Sequence, residues 1–169
     1  YIIGDMPIYV SFESCDVWSG RELFELNEKG YPCRVAGVPP DYFSPTGQKW
    51  GNPLYDWNAM RADGYAWWKK RLLHTLSMVD KVRIDHFRAI SAYWAVPAEA
   101  ETALEGEWVK GEGMHFLNEI YRVVDKEAII AEDLGVQDEA LAKLLDESGL
   151  PGMRVLQFGF VTEDDDMHL

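Results

Sequence analysis

The chain has 169 residues and a net charge of −13, and 47% of its residues are hydrophobic and 13% aromatic. This composition excludes an intrinsically disordered chain, because disordered chains are too poor in apolar residues to offset the entropy lost on folding. The excess of acidic residues repels phosphate groups and anionic lipid headgroups. No apolar run approaches the roughly 18 residues of a membrane-spanning helix. Neither nucleic acid nor a membrane is therefore expected as a partner.

The two cysteines and the chain ends give expectations about location and completeness. Cys15 and Cys33 do not have the spacing of a metal site or a redox pair, so reduced thiols in a cytoplasmic protein are the simplest interpretation. The chain opens at Tyr1 directly in a strand-like apolar run, and it reaches Leu169 without a closing element. We therefore expect an internal piece of a longer protein.

The hydrophobic pattern predicts strands and helices in alternation. The predicted elements are a strand ending near residue 5, a short helix at 19–28, a long loop at about 30–58, a helix at 63–78, a strand at 82–85, a helix at 114–124, a strand at 128–131, a helix at 137–148 and a strand at 155–160. Gly149 and Pro151 close the last of these helices. This order of elements is typical of a parallel α/β sheet with helical crossovers.

Charged side chains stand at the carboxyl ends of three predicted strands. Asp5 ends the first strand, and Glu132 directly follows the third. In the strand between them, the period of two places Arg83 and Asp85 on the face opposite the apolar residues. Catalytic residues of parallel α/β barrels lie at the carboxyl ends of strands. These carboxylates are therefore the first candidates for catalytic groups.

One reaction that uses such carboxylates is the cleavage of a glycosidic bond, which needs two carboxyl groups in different protonation states. Arg83 would keep Asp85 ionised, since a neighbouring cation stabilises a carboxylate, whereas burial among apolar neighbours would raise the pKa of Glu132 toward an acid role. The alternative is that Arg83 and Asp85 form a buried ion pair that holds two strands together. His86 either contacts a sugar hydroxyl or satisfies a backbone carbonyl.

The loop predicted at about 30–58 is rich in proline, glycine and aromatic residues. Loops longer than about 12–15 residues are uncommon unless they act as lids or binding loops. Aromatic faces stack on sugar rings, and amides and carboxylates bind sugar hydroxyls. A substrate-binding loop is therefore predicted, the alternative being that its rings only attach the loop to the body. Its candidate binding residues are Asp41, Tyr42, Gln48, Trp50 and Asn52.

Other common α/β sites find no support in the sequence. The segment at the end of the first strand, Gly4-Asp5-Met6-Pro7, does not resemble the GxGxxG turn of dinucleotide-binding proteins. No pair of histidines or cysteines stands at the spacing of metal ligands, although scattered carboxylates are able to hold calcium. Neither a cofactor nor a metal is therefore predicted.

The sequence resembles the 4-α-glucanotransferases, the amylomaltases or disproportionating enzymes of glycoside hydrolase family 77, in six successive segments. These segments are GDMPIYV at 4–10, VAGVPPDYFS at 35–44, GQKWGNPLY at 47–55, VRIDHFR at 82–88, AEDLG at 131–135 and GMRVLQF at 152–158. The resemblance implies a portion, about four βα units, of a TIM-type (β/α)8 barrel of the α-amylase clan. It implies a single partial catalytic-barrel domain over 1–169, truncated at both ends.

The resemblance also implies an activity and residue roles. The activity is the transfer of α-1,4-glucan segments between maltooligosaccharides, or to glucose, by a retaining mechanism with Asp85 as nucleophile and Glu132 as general acid/base. The loop around Tyr42 and Phe43 resembles a lid of the family. Residues in or beside motif positions that the family uses around the donor sugar are Asp5, Asp41, Gln48, Trp50, Asn52 and Arg83.

One feature of the family is not found in this sequence. The third carboxylate of the family, an aspartate in a later His-Asp motif, would lie beyond Leu169, so the isolated chain is expected to be inactive. The alternatives are an α-glucan hydrolase of the same clan, or a structural or glucan-binding piece without catalytic activity. Because a partial barrel has bare strand edges, the isolated chain is also expected to self-associate.

Overall fold

The computed structural model describes residues 1–135 and 137–157. Its strands fall into two sheets, one parallel and one antiparallel. The strands are β1 (Ile3–Pro7), β2 (Arg34–Val38), β3 (Gln48–Pro53), β4 (Lys81–Asp85), β5 (Ala92–Pro97), β6 (Glu107–Lys110) and β7 (Ile129–Ala131). The α-helices are α1 (Cys15–Ser19), α2 (Trp57–Ala62), α3 (Ala66–Leu76), α4 (Gly113–Ile120) and α5 (Glu139–Ser148). None of the described helices is long and apolar enough to cross a membrane.

The parallel sheet places strand β4 between β1 and β7. In the chain, α2 and α3 lie between β1 and β4, and α4 lies between β4 and β7, which is the succession of βαβ units. Hydrogen bonds continue past the strand ends: the Ile8 amide donates to the Asp85 carbonyl at 3.2 Å, and the Glu132 amide donates to the Ile84 carbonyl at 3.1 Å. Asp85 and Glu132 therefore lie at the same edge of the sheet. Asp5, predicted to end the first strand, instead lies two residues before the end of β1, because pairing with β4 continues to Pro7.

The predicted alternation of strand β4 is confirmed. Val82 and Ile84 are fully buried, whereas Arg83 and Asp85 are partly exposed on the other face. The buried face belongs to the main hydrophobic core, in which the three parallel strands pack against α3, α4 and α5. The charged face is the one that carries the candidate site.

The prediction that residues 30–58 form one long loop is wrong for their local structure. Strands β2 and β3 lie within this segment, and they join β5 and β6 in an antiparallel sheet of order β3-β2-β5-β6. The prolines and glycines do not prevent this pairing, because Pro53 ends an edge strand and Gly37 allows close approach of β3. A Cβ atom on Gly37 would lie 2.3 Å from the Gln48 carbonyl oxygen. The tip between the two strands, residues 39–47, is a loop.

The acidic segment 99–107 is also partly buried. Ala100 and Ala103 pack against Val35 and Val96 in a small cluster on the antiparallel sheet. A helical turn at Ala103–Glu105 buries Ala103 and leaves Glu105 exposed. The antiparallel sheet thus has an apolar cover of its own.

The helices differ from their predictions at both ends: α4, predicted at 114–124, already ends at Ile120. The helix predicted at 19–28 is wrong: α1 ends at Ser19, and a short 3-10 turn and extended chain follow. Helix α3 begins at Ala66 and not at residue 63, because Gly64 and Tyr65 adopt left-handed backbone angles (φ of 67° and 58°). The Asp63 carboxylate still accepts a hydrogen bond from the Ala66 amide at 3.1 Å. Gly149 closes α5 in the left-handed conformation, as predicted.

The fourth predicted strand is not found in the described residues. Residues 155–157 contain no strand, and 158–160, the remainder of that prediction, lie outside the described part of the chain. The carbonyl of Pro151 nevertheless accepts a hydrogen bond from the Ala131 amide at 2.9 Å. The described residues therefore contain three parallel strands and not the four that were predicted.

Candidate functional site

The Arg83 guanidinium is the centre of an ion-pair network that connects the neighbouring strands β1 and β4. Its Nε and Nη2 atoms donate to the two carboxylate oxygens of Asp5 at 2.8 and 3.0 Å, and Nη2 lies 2.9 Å from Asp85 Oδ1. The parallel register places Asp5 directly opposite Arg83. One guanidinium therefore fixes two carboxylates that lie on neighbouring strands.

This network differs from the buried ion pair considered in the sequence analysis. The side chains of Asp5 and Asp85 are 61% and 44% exposed, and the bond between strands runs from Arg83 to Asp5. Exposed ion pairs contribute less than about 1 kcal/mol to stability. The bidentate pair with Asp5 fixes the orientation of the Arg83 guanidinium. The main effect of the network is that this fixed guanidinium positions Asp85.

Glu132 is the buried member of the carboxylate pair. Glu132 is 9% exposed, and both of its carboxylate oxygens accept hydrogen bonds from backbone amides. The His86 amide donates to Oε2 at 2.8 Å and the Leu134 amide donates to Oε1 at 2.8 Å. Burial raises the pKa of Glu132 above its usual value and the charge of Asp85 adds to this, while the two amides and Arg83 act in the opposite direction. The raised pKa predicted from the sequence is confirmed.

His86 connects the two carboxylates with the aromatic wall of the site. It follows Asp85 directly, and its ring lies edge-on to Trp50 with centroids 4.8 Å apart. Burial lowers the pKa of His86 to about 4, the charges of Asp85 and Arg88 acting in opposite directions. The imidazole is therefore neutral at pH 7 and is able to donate one hydrogen bond and accept another.

A cavity of about 210 Å³ opens beside Asp85. Two side chains from β3 are held at this place by hydrogen bonds: Trp50 Nε1 donates to Gln48 Oε1 at 3.1 Å, and Asn52 Nδ2 donates to the Val10 carbonyl at 2.9 Å. Strand β3 of the antiparallel sheet therefore places Trp50 and Asn52, two residues of the predicted binding loop, beside the same cavity as Asp85. The cavity is lined by Pro7, Ile8, Tyr9, Trp50, Asn52, Asp85 and His86.

Asp41 and Tyr42, two further predicted site residues, lie on the tip between β2 and β3. The Asp41 carboxylate accepts hydrogen bonds from the Phe43 and Ser44 amides at 2.9 and 2.7 Å, so it stabilises its own turn. Tyr42 and Phe43 are 95% and 91% exposed and contact each other edge to face, with centroids 5.5 Å apart. These contacts all lie within the tip and do not involve Asp85 or Glu132, so the lid role stays a prediction.

Two supporting residues were missed by the sequence reasoning. Buried Asp133 accepts a hydrogen bond from the Met153 amide at 2.7 Å, and Met153 in turn contacts Arg83, with its sulfur 3.9 Å from Nη1. Arg71 Nη2, on α3, donates to the Pro7 carbonyl at 2.7 Å. The position of Asp133 beside Glu132 was a usable signal, but nothing local marks Arg71.

The arrangement defines a class of protein. Two carboxyl groups lie at the ends of neighbouring parallel strands. Asp85 is bound to an arginine and lines a cavity with an aromatic wall, and Glu132 is buried. This is the type of site with which α/β-barrel enzymes act on carbohydrate. Among the described residues, no cluster of three or more histidine, cysteine, aspartate or glutamate side chains is arranged to hold a metal ion.

Sequence comparison assigns the family. The family model of glycoside hydrolase family 77, described as 4-alpha-glucanotransferase, matches residues 1–169, and the chain belongs to this family. It is 51% identical over 168 residues to the chloroplastic/amyloplastic 4-alpha-glucanotransferase of Arabidopsis thaliana, covering 99% of this chain and 29% of that protein. It is also 51% identical over 166 residues to the 4-alpha-glucanotransferase of Thermus thermophilus, covering 98% and 33%.

Structural comparison confirms the fold class. The chain superposes on an amylomaltase from Streptococcus agalactiae in complex with acarbose with a TM-score of 0.92 and 41% identity, covering 98% of this chain and 33% of that one. The chain is therefore a portion of a TIM-type barrel of the α-amylase clan. It spans about 30% of the length of the relatives that it matches.

Proposed function

We propose that the whole protein transfers α-1,4-glucan segments between maltooligosaccharides, or to glucose, by a retaining double displacement. Asp85 attacks the anomeric carbon of the donor and forms a glycosyl-enzyme bond, while Glu132 gives its proton to the departing glucan oxygen. Glu132 then takes a proton from an acceptor hydroxyl, whose oxygen displaces Asp85. The observation that carries this proposal is the pairing of buried Glu132, with its raised pKa, and Asp85 fixed by Arg83.

The charges of the site suit this division of labour. Arg83 binds Asp85 through Oδ1, so we assign the attack to Oδ2. A raised pKa keeps a larger fraction of Glu132 protonated near neutral pH, which a proton donor requires. The bond from Arg83 to Asp5 keeps the guanidinium in place when the charge of Asp85 is consumed in the glycosyl bond.

The remaining site residues are proposed to bind the sugar. Trp50 forms an aromatic wall of the cavity, and Asn52 lines it. Gln48 orients Trp50 through the indole nitrogen, and the neutral His86 ring faces the same space. Asp5, Asp41, Tyr42 and Arg83 complete the proposed donor-sugar contacts. The Streptococcus agalactiae amylomaltase has a structure in complex with acarbose, which supports a saccharide as the ligand of this chain's parent protein.

Transfer is proposed over hydrolysis because exclusion of water from the glycosyl-enzyme favours a sugar acceptor. Tyr42 and Phe43 are placed on a tip whose closing would shield the cleft. With maltotriose as sole substrate, we expect the whole protein to form maltooligosaccharides longer than the substrate, measured by chromatography of the products. Glucose and maltose alone would identify an α-glucan hydrolase. A whole protein that is inert in this assay would leave only a structural or glucan-binding role.

The isolated chain of 169 residues is proposed to be inactive and to self-associate. Strands β1 and β7 form the two edges of the described parallel sheet, and unpaired strand edges promote association between chains. We expect sedimentation of the isolated chain to show dimers or larger species. A compact monomer with a cooperative thermal transition would contradict this proposal.

A cytoplasmic location is proposed on the basis of the cysteines, both of which are free and exposed. Free thiols are typical of proteins in reducing compartments. Fractionation of the source cells would test this assignment, and recovery of the protein outside the cytoplasm would contradict it.

A further inference from the structure

His86 has an unusual backbone conformation for a residue other than glycine. Its φ and ψ angles are 54° and 45°, in the left-handed region. Among the described residues, Tyr65 is the one other non-glycine residue with a positive φ. Left-handed angles are uncommon outside glycine, and histidine, asparagine and aspartate adopt them more readily than most residues. Strained angles of this kind concentrate at functional sites.

The left-handed turn directs two consecutive amide groups toward the same residue. In an extended strand, successive N–H groups point to opposite edges. Here the His86 amide donates to Glu132 Oε2 at 2.8 Å, and the next amide, of Phe87, donates to the Glu132 carbonyl at 3.1 Å. A continuation of strand β4 beyond Asp85 would lose this arrangement.

The chain on either side of His86 maintains the turn. Strand β4, which ends at Asp85, is paired on both edges with β1 and β7, and the residues after His86, Phe87 and Ile90, are fully buried in the core. The chain is therefore anchored on both sides of the left-handed residue. The position of its amide is set by packing and does not need the substrate.

We propose that His86 is a positioning residue for Glu132 and that it acts through its backbone. Its left-handed conformation holds an N–H group on Oε2, which orients the carboxyl group and limits its proton affinity. A hydrogen bond donated to a carboxylate stabilises the ionised form, so loss of this bond shifts Glu132 toward the protonated state. The inference rests on the proposed function, in which Glu132 is the general acid/base.

The test compares two substitutions that both remove the imidazole. His86→Asn retains a residue that tolerates left-handed angles, whereas His86→Val introduces a β-branched residue for which they are a genuine outlier. The pH dependence of kcat/KM is measured for maltotriose disproportionation by the whole protein. Its basic limb marks the deprotonation of the general acid.

We expect His86→Val to move the basic limb upward by about 1–2 pH units, the size associated with one hydrogen bond to an ionised group, and to lower kcat. His86→Asn should raise KM, since the ring is lost from the cavity, but leave the basic limb within about 0.3 pH unit of its original position. Equal shifts in both variants would assign the effect to the ring and overturn the proposal. The absence of a shift in His86→Val would also overturn it.

Two further measurements keep the result decisive. If His86→Val does not fold, as judged by its thermal transition, the pair His86→Ala and His86→Gly gives the same contrast in milder form. NMR titration of the 13C-labelled Glu132 carboxyl group, assigned with Glu132→Gln, reads the proton affinity without turnover. An inert whole protein would then refute the proposed function, while the titration would still decide the role of His86.

Discussion

Replacement of Asp85 by Asn is expected to lower the transfer rate by at least about 10⁴-fold, because an amide cannot form the glycosyl-enzyme bond. The loss should be as complete with α-maltosyl fluoride as with maltotriose, since both donors need the nucleophile. Asn has nearly the size of Asp, and Arg83 keeps its two bonds to Asp5, so the fold should persist. Initial rates of product formation by the whole protein measure the effect.

The matched control for this substitution is Asp146→Asn. Asp146 is an exposed aspartate of helix α5, so the same chemical change is made away from the carboxylates. We expect its rates to stay within about twofold of those of the unmodified protein, because exposed substitutions have small effects. An Asp85→Asn protein that retained a tenth of the activity would exclude Asp85 as the nucleophile.

Replacement of Glu132 by Gln should separate the two donors. With maltotriose, we expect a loss of about 10²–10⁴-fold, the usual contribution of general acid catalysis. Formation of the glycosyl-enzyme from α-maltosyl fluoride should be affected far less, because fluoride departs without a proton. The release of fluoride in the first turnover therefore measures the step that does not need Glu132.

The pH profile gives a second reading of the same substitution. Because burial raises the pKa of Glu132, the unmodified protein should remain active above the pH at which an ordinary glutamate has lost its proton. Glu132→Gln should abolish the basic limb of the profile. Glu147→Gln, at an exposed position of α5, serves as the control. Equal losses with both donors would exclude Glu132 as the proton donor.

The part of the site carried by β4 and β7 was predictable from local sequence. A strand with a period of two fixes the face of each side chain, so the alternation of Val82 and Arg83 identifies the functional face without any tertiary information. Likewise, the apolar run before Glu132 indicates burial, and burial is the main reason for its raised pKa. These inferences depend on a few neighbouring residues.

The cavity wall was not predictable in the same way. Strand β2 pairs with β5, in which Ala36 lies opposite Ala95, and no local pattern reveals a partner so far along the chain. The glycines and prolines of 34–53 therefore indicated a loop. The left-handed angle of His86 was equally hidden, since it accompanies the burial of Phe87 and Ile90 and the bonds of two amides to Glu132. The resemblance to the family, in contrast, located the Trp50 segment without its strands.

The antiparallel sheet also has a consequence for the order in which the protein folds. Chains are synthesised from the N-terminus and fold as their segments become available, and β5 and β6 are made only after the strand that carries Asp85. The hairpin of β2 and β3 is therefore synthesised before β5, the strand with which β2 pairs, and Asp85 is synthesised between them. Because β5 follows β4 in the chain, the strand bearing Trp50 should reach its final support later than the pair β1 and β4.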